Sequence, residues 1–440
     1  MKKAVVFSII MAFFLAAGGQ DKEMVTKTGW NFGALPTITF DTDLGFQYGA
    51  LVNLYNYGDG SRFPSYNHSL YFEVSRFTKG SGINRFYYDS DRLIKGLQTS
   101  VDVSYLSDQA YDFFGFNGYN AVYNAGWIDD EAGDYVTRMF YKYDRKLFRF
   151  KVDLQGKLAG DHLRWITGWN FQNFKIAEVD LDKLNKNKEG DELLPEVDGL
   201  YQLYQDWGLI SGDEVDGGFV PTFKGGLVFD TRDNRPNPMK GIWTEAVVEG
   251  SPKILGAEGS FAKLSLIHRQ YFTLVPRDLS LVYRLAYQTT IAGDVPFYYQ
   301  SQVITSILTG ALSEGLGGAK TLRGVLRNRV VGDGFFYGNL EARWKFVRFN
   351  FIKNNFYLGL NGFADFGKVT KKIGFSLPTN LGTYSKADFF KNDAEKFHTS
   401  VGAGLRIAMN ENFVIAVDYG RALDKQDGKS GMYIGLNYLF

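Results

Sequence analysis

The sequence predicts an all-β protein, a closed antiparallel transmembrane β-barrel of sixteen strands. Three observations predict this fold: apolar and polar residues alternate along the chain, the alternating segments are long, and aromatic residues make up 16% of the sequence. Membrane strands have about 9 to 11 residues with one apolar and one polar face, and aromatic side chains lie at both membrane interfaces. A soluble β-sandwich, with strands of about 5 or 6 residues, is the competing interpretation.

The alternation is clearest in the C-terminal third of the chain. In segment 397–409 most odd positions are apolar and most even positions are small or polar, and segments 337–346 and 279–288 repeat this division. A period of two residues indicates strands with two different faces. A sheet that spans a bilayer must also close, because the membrane interior has no water to satisfy an unpaired strand edge.

Seventeen segments qualify as candidate strands. They are 35–42, 46–57, 69–78, 83–90, 97–106, 136–144, 147–157, 163–176, 219–230, 242–248, 261–273, 279–289, 335–346, 356–369, 397–409, 413–419 and 432–440. An odd number would place the two ends of the sheet on opposite sides of the membrane. We therefore expect sixteen strands, with 136–157 forming a single strand, since only Arg145 and Lys146 separate its halves.

The N-terminal residues predict export. Lys2 and Lys3 precede an apolar run at 4–17 that ends in small residues, which is the pattern of a signal peptide over residues 1–19. The run is shorter than the roughly 20 residues of a membrane helix. We expect residues 20–34 to form a short periplasmic segment and residues 35–440 to form the barrel. The chain has no cysteine, which excludes disulfides and lipoprotein acylation, and its net charge of +1 gives no indication of a nucleic-acid partner.

Four long connections interrupt the strands, at 107–135, 178–218, 292–334 and 370–395. Barrels of this kind have short periplasmic turns and long outer loops, so we place all four outside the membrane or folded into the lumen. The second is rich in Asp and Glu. A cation site is one interpretation, but the spacing from Asp180 to Asp191 fits no EF-hand pattern, which favours a solvated acidic loop. We predict no metal and no cofactor.

Two motifs go beyond a generic barrel. The first is a strand, turn and strand with Asp230, Arg232, Asp233, Asn234 and Gly241, for which an ordinary hairpin turn is the alternative. The second is Leu322, Arg323 and Gly324 within the connection 292–334, followed by the strand residues 339–343. The pair resembles the turn motif and the conserved loop of the Omp85 superfamily, of the BamA and TamA type. In that family the loop tip folds back inside the barrel.

The resemblance covers most of residues 221–440, and the first half of the chain matches only in its strand pattern. Val325 stands where the family usually has an aromatic residue, so we expect different packing of the loop tip.

An arginine at an inward-folding loop tip needs a carboxylate, because a desolvated guanidinium without a partner is costly and the forked pair is its favoured geometry. Alternation places Asp365, Asp418 and Glu341 on the inward face of their strands. The resemblance implies Asp365 as the first partner of Arg323 and Asp418 as the second.

The first and last strands predict a weak seam. Pro36 lies in the first strand and cannot donate a backbone hydrogen bond, so it suits an edge or a weak pairing. Gly431 and Gly435 give the last strand little side-chain packing, and this strand ends at Phe440, which looks like the C-terminal signal of outer-membrane barrels.

By resemblance we expect an integral protein of the outer membrane of a Gram-negative bacterium that assists insertion or translocation of polypeptide or lipid through its seam. Omp85 proteins normally carry periplasmic POTRA domains, and the few residues before the first strand predict a barrel without them. A scaffold or partner barrel is therefore the alternative function. Expected partners are outer-membrane lipid, POTRA-bearing or lipoprotein subunits, and unfolded outer-membrane proteins.

Two other functions receive no support from the sequence. The four histidines lie on unrelated segments without a catalytic set around them, so we expect no enzyme and no catalytic residue. A loop carrying Arg323 into the lumen argues against a diffusion pore.

Overall fold

A computed structural model describes residues 24–41, 45–253, 256, 259–307, 315–377, 379–392 and 395–440. These residues form one sixteen-stranded sheet in which each strand pairs antiparallel with the next in sequence. The strands are β1 Trp30–Asp41, β2 Gly45–Asn56, β3 His68–Phe77, β4 Gly82–Ile94, β5 Leu97–Asp112, β6 Lys142–Ala159, β7 Leu163–Ala177, β8 Gly217–Asp230, β9 Gly241–Ser251, β10 Phe261–Val275, β11 Leu279–Gly293, β12 Gly334–Phe351, β13 Asn354–Lys371, β14 His398–Met409, β15 Phe413–Ala422 and β16 Ser430–Leu436. The predicted signal peptide lies outside the described residues.

Short helices occur in the connections between strands. They are α1 Leu181–Asn185, α2 Leu200–Asp206, α3 Phe297–Gln300 and α4 Lys386–Phe389, together with 3-10 turns at Gly118–Asn120, Gly126–Ile128, Gly190–Glu192 and Lys425–Asp427. In the part of the chain that the structure describes, no helix has the length and apolar character needed to cross a membrane.

The side chains are distributed inside out relative to a soluble protein. On β12, Glu341 and Arg343 are buried at 0% and 2% exposure, whereas Leu340 and Trp344, which flank them, are 45% and 51% exposed. The lumen contains ion pairs such as Arg85–Asp102 at 2.7 Å. An apolar outer face with buried, paired charges inside suits a lipid environment, since buried charges must be paired. This distribution excludes the β-sandwich.

Most strand boundaries differ from the prediction, and three of the differences bear on the strand count and on the two ends of the barrel. The candidate segments 136–144 and 147–157 are one strand, β6, as expected from the count, although its first residue is Lys142. β1 begins at Trp30, five residues before the predicted start of the barrel at residue 35, because residues 30–34 pair in register with 52–56 of β2. β16 ends at Leu436 rather than at Phe440.

The four long connections, 113–141, 178–216, 294–333 and 372–397, all follow odd-numbered strands and therefore share one end of the sheet. We call this the outer end and the opposite one the periplasmic end. The connections pack on each other through a cluster of buried aromatic rings, the outer cap. It includes Phe113, Phe114, Phe116, Tyr141, Tyr201, Tyr204, Phe297, Tyr298, Phe389 and Phe390. Tightly packed rings thus cover the outer end.

The seam between the first and last strands differs from the prediction, in which the edges of these two strands pair to close the barrel. Among the described residues no backbone pairing joins β1 to β16. Gly33 of β1 instead lies against Phe413 of β15, with an ideal Cβ at residue 33 only 2.4 Å from the Phe413 ring. Gly33 is on the lumen-side face of β1, since its neighbour Phe32 is 69% exposed, whereas Phe413 is on the outer face of β15. The first hairpin therefore overlaps the outside of the last strands.

Side chains join the two layers of this overlap. Leu51 and Tyr55 of β2 form an apolar cluster with Phe413, and Leu35 and Leu436 pack on it. At the periplasmic end the Tyr55 hydroxyl donates to the backbone oxygen of residue 412 at 2.9 Å. The seam is thus held by apolar burial and side-chain hydrogen bonds.

Candidate functional site

The connection between β11 and β12 carries Arg323 into the lumen, where the side chain is fully buried. Its Nε and Nη2 atoms donate to the two carboxylate oxygens of Asp365 on β13, each at 2.9 Å. Its backbone N–H donates to the same carboxylate at 3.0 Å. This forked arrangement with an added backbone bond fixes both the side chain and the loop tip.

Two further carboxylates surround the guanidinium of Arg323. Its Nη1 atom lies 2.6 Å from Oε1 of Glu341 and 3.6 Å from Oδ2 of Asp418. Glu341 also pairs with Arg343 at 2.7 Å, and Asp418 pairs with Arg406 at 2.8 Å. The structure therefore brings the predicted Arg323, Asp365, Glu341 and Asp418 together, with charges that balance as three arginines against three carboxylates.

The loop tip packs closely on β15 and β16. Gly324 has a φ of +97°, and a Cβ added to it would lie 2.5 Å from the backbone N of Arg421. Its N–H donates to the hydroxyl of Tyr433 on β16 at 2.9 Å. Leu322 and Val325 are buried in an apolar cluster, so the small Val325 side chain fills the position that an aromatic residue usually takes.

The strand–turn–strand motif forms the turn between β8 and β9. Asp230 accepts two hydrogen bonds from the Arg232 guanidinium, at 2.9 Å and 2.7 Å. The Arg232 guanidinium also lies 3.8 Å from the ring centre of Trp243, and that of Arg269 lies 3.7 Å from it. The Trp243 ring on β9 therefore holds two cations in the lumen, Arg232 from the turn and Arg269 from β10.

The remaining motif residues fix the backbone of this turn. Asp233 accepts from the N–H groups of Asn234, Met239 and Lys240 at 2.9, 3.0 and 3.3 Å. Gly241 has a φ of +107°, and a Cβ there would lie 2.4 Å from the Thr231 carbonyl oxygen. The turn is thus more specific than an ordinary Asn/Pro/Gly hairpin.

Both motifs lie within the part of the chain that matches a known family. A model of the Omp85 superfamily domain matches residues 66–440. The chain belongs to the Omp85 superfamily. Barrels of this superfamily lie in the outer membrane of Gram-negative bacteria and are in general transport and insertion proteins rather than enzymes. A search of curated protein sequences finds no significant match.

Comparison with solved structures finds similarity at low sequence identity, and the similarity to CdiB supports the fold. CdiB from Escherichia coli is similar with a TM-score of 0.55 and 10% identity, over 94% of this chain and 65% of that one. BamA from Haemophilus ducreyi lacking POTRA domains 1–3 gives a TM-score of 0.49 and 13% identity, over 93% of this chain and 70% of that one. The chain spans just under two thirds of the length of the E. coli CdiB chain.

The last residues of this Omp85-superfamily chain lie in the lumen, which corrects the placement of Phe440 at the seam. Asn437 has a φ of +67° and turns the chain out of the wall after β16. The Phe440 carbonyl oxygen accepts from Arg343 at 3.0 Å, and the Phe440 ring lies beneath Arg343 and Arg284. The inward turn is stabilised because it supplies an acceptor and an aromatic face to buried arginines.

The other predicted seam residues remain in the wall. Pro36 lies opposite Ala50 in the β1–β2 ladder. Gly431 and Gly435 lie opposite Gly420 and Ala416 in the β15–β16 ladder. They lie in the two terminal strands but do not face one another in a ladder.

Several residues of the loop network were not singled out from the sequence. The Arg323 guanidinium lies 3.5 Å from the ring centre of Phe363. Arg343 and Arg406 balance the charges of the carboxylates. All three occupy inward positions of the alternation, so listing the charged and aromatic residues of that face would have found them. Tyr433 carries the same signal, since it lies opposite Asp418 in the β15–β16 ladder, but its hydrogen bond with Gly324 depends on where the loop tip lies.

Replacing Gly324 with alanine is expected to destabilise the barrel by about 1–3 kcal/mol beyond the cost of the backbone conformation alone, because the methyl group overlaps the backbone of β15. Gly382→Ala is the matched control, since Gly382 also has a positive φ, +67°, but has open space around it. Urea unfolding in lipid vesicles measures both variants. Equal midpoints would show that the loop tip does not pack on β15 as described.

Replacing Arg343 with glutamine is expected to release the last residues from the lumen. The chain has no cysteine, so Leu439→Cys provides a single labelling site at a buried position. We expect Arg343→Gln to raise its maleimide labelling rate about tenfold, as the loss of one charge-assisted bond predicts. Arg149→Gln is the control, a buried lumen arginine that instead bonds Asp102 and Ser104. A rise of equal size in the control would indicate general loosening instead.

Proposed function

We propose that this chain assists the insertion or translocation of polypeptide, or lipid, at the outer membrane through the seam between β1 and β16. The observation that carries the proposal is the missing backbone ladder between these strands among the described residues. Each ladder hydrogen bond contributes about 0.5–1.5 kcal/mol net, so a join without them opens at lower cost than any other pair of neighbouring strands.

An opened seam offers an unpaired strand edge. The free edge of β1 is a template on which an incoming strand can add by backbone hydrogen bonds. In the hydrocarbon such an edge is strongly unfavourable until it is paired, which drives the addition. A polypeptide segment that is itself becoming a membrane strand satisfies both edges at once.

The lumen supports a lateral path rather than an axial one. The buried network around Arg323 lies within the lumen, and the turned-in residues 438–440 contact Arg343 and Arg406 of this network. The outer cap covers the outer end. A polypeptide moving along the barrel axis would have to displace all three, whereas a strand entering at the seam displaces none of them.

Export by a signal peptide at residues 1–19 and the absence of catalysis are part of this proposal. So is a direct interaction with other subunits: in the cell, a periplasmic carrier, lipoprotein or POTRA-bearing partner would deliver an unfolded outer-membrane protein to the seam.

A scaffold barrel is the second candidate, and the overlap favours it. The cluster of Leu35, Leu51, Phe413 and Leu436 buries apolar surface between the layers, and Tyr55 adds a hydrogen bond. Apolar burial contributes roughly 25 cal/mol per Å2, so a well-packed overlap can hold the seam shut. A permanently shut barrel would act through its partners alone.

Reconstitution separates the two candidates. The full chain is placed in liposomes, an unfolded outer-membrane barrel protein is added in urea, and its folding is followed by protease protection and by heat-dependent electrophoretic mobility. Insertion assistance predicts faster folding of the client than in protein-free liposomes. An unchanged rate, together with partners retained in a pull-down from native membrane, would support the scaffold instead.

A further inference from the structure

A groove of about 540 Å3 runs along the outer face of the wall where β1 overlaps the last strands. Its floor and sides are apolar side chains of four strands: Phe32, Phe356, Ile407, Met409, Phe413 and Ile415. All of these lie at outward positions of their strands. The groove therefore opens toward the membrane and not toward the lumen.

Two lysines lie next to each other at the periplasmic end of this groove. The Lys27 ammonium donates to the backbone oxygen of Lys353, and the next residue, Asn354, lines the groove. Among the described residues neither lysine forms an ion pair. Partial burial and the neighbouring Lys353 ammonium both lower the pKa of Lys27 from its usual value. Two adjacent cations without an anion favour binding of one.

The surroundings of the lysines mark a membrane interface. Trp30, Phe351 and Ile352 are 58%, 59% and 74% exposed at the same end of the sheet. Aromatic residues are enriched where hydrocarbon meets headgroups, and lysines near that level reach toward the aqueous side. The groove thus begins at headgroup level and continues into the apolar region.

We propose that this groove is a phospholipid-binding site, in which an acyl chain lies along the overlap and the lipid phosphate binds between Lys27 and Lys353. The groove matches such a lipid in charge and polarity. Its apolar part suits an acyl chain, and the two lysines at its interfacial end suit an anionic headgroup. The proposal goes beyond the function proposed above, because it holds whether the seam opens or stays shut.

A polypeptide strand fits the same groove less well. Only residues 30–34 of β1 line it, whereas a membrane strand pairs over about 9 to 11 residues. The remaining walls are side chains that cannot supply ladder hydrogen bonds. An apolar strand would also bring no anionic group for the two lysines to bind.

The test is lipid binding to the purified full chain in detergent, measured by native mass spectrometry. The probes are phosphatidylglycerol, diacylglycerol with the same acyl chains, and glycerol phosphate, so the acyl chain and the phosphate are varied separately. We expect Lys27→Gln with Lys353→Gln to weaken phosphatidylglycerol binding about tenfold to thirtyfold, since each lysine near a lipid surface contributes on the order of 1 kcal/mol.

Lys95→Gln with Lys240→Gln is the matched control, because both are exposed lysines in turns of the same end, between β4 and β5 and between β8 and β9. This pair is expected to leave binding unchanged.

A second readout locates the lipid. Phosphatidylglycerol brominated on its acyl chains is expected to quench tryptophan fluorescence less in Trp30→Phe than in the parent chain, which has 7 tryptophans. The proposal is overturned if the Lys27/Lys353 variant binds phosphatidylglycerol as tightly as the Lys95/Lys240 control does. It is also overturned if diacylglycerol or glycerol phosphate binds the parent chain as tightly as phosphatidylglycerol, or if quenching does not depend on Trp30. Displacement of the lipid by a strand-forming peptide with equal strength in both lysine variants would assign the groove to polypeptide.

Discussion

Replacing Arg323 with methionine is expected to destabilise the barrel by about 3–5 kcal/mol, the usual cost of breaking a buried ion pair from one side. Among the described residues, the variant leaves Asp365 with the backbone N–H at residue 323 as its one remaining donor, while Glu341 and Asp418 keep their own arginines. The unpaired carboxylate, rather than the lost contact, dominates the cost. Urea unfolding in lipid vesicles gives the free energy.

Removing the partner as well is expected to recover part of this loss. Arg323→Met with Asp365→Leu replaces both charges by apolar groups, and contacting residues commonly show coupling of about 0.5–3 kcal/mol. The double variant should therefore be more stable than Arg323→Met alone. If the effects of the two substitutions on the free energy of unfolding simply add, the forked pair does not determine the stability of the lumen. The loop tip must then be held by its backbone contacts instead.

The carboxylates of the lumen network could be predicted from the sequence because a local rule decides which face of a strand each side chain occupies. Alternation with a period of two decides which residues face inward, and it placed Asp365, Asp418 and Glu341 on that face without any knowledge of the loop. Covalent order then limits where the β11–β12 connection can reach. The sixteen strands follow from the same rule, and the merging of residues 136–157 into β6 required only the parity of the count.

The structure of the seam could not be predicted from the sequence in the same way. Residues 432–440 continue to alternate, so the pattern extends the last strand to Phe440, while Asn437 takes a left-handed backbone conformation that period-two patterning does not encode. The overlap likewise depends on contacts between Gly33 and Phe413, which lie at opposite ends of the chain. Local patterns specify which face of a strand is apolar, but not whether that face meets lipid or another layer of the wall.

Locking the overlap is expected to abolish assistance of client insertion. In Gly33→Cys with Phe413→Cys, the cysteine at residue 33 has its Cβ 2.4 Å from the former position of Phe413 Cγ, which is bonded to the Cβ of residue 413. The two Cβ atoms thus lie within the roughly 4.5 Å that a disulfide spans. The native chain has no cysteine, so the cross-link forms only as designed. Oxidation should reduce client folding to the rate of protein-free liposomes.

The reduced form of the same variant separates locking from damage, since a reductant should restore the rate if the cross-link alone prevents opening. Val101→Cys with Val152→Cys is the oxidised control, because these residues lie directly opposite each other in the β5–β6 ladder, outside the overlap, and their disulfide joins strands that are already paired. It should leave insertion unchanged. If the locked seam supports insertion at the full rate, opening at β1 is not part of the mechanism. The apolar cluster of the overlap then describes a permanent join, and the barrel acts as a scaffold whose function depends on the partners it retains.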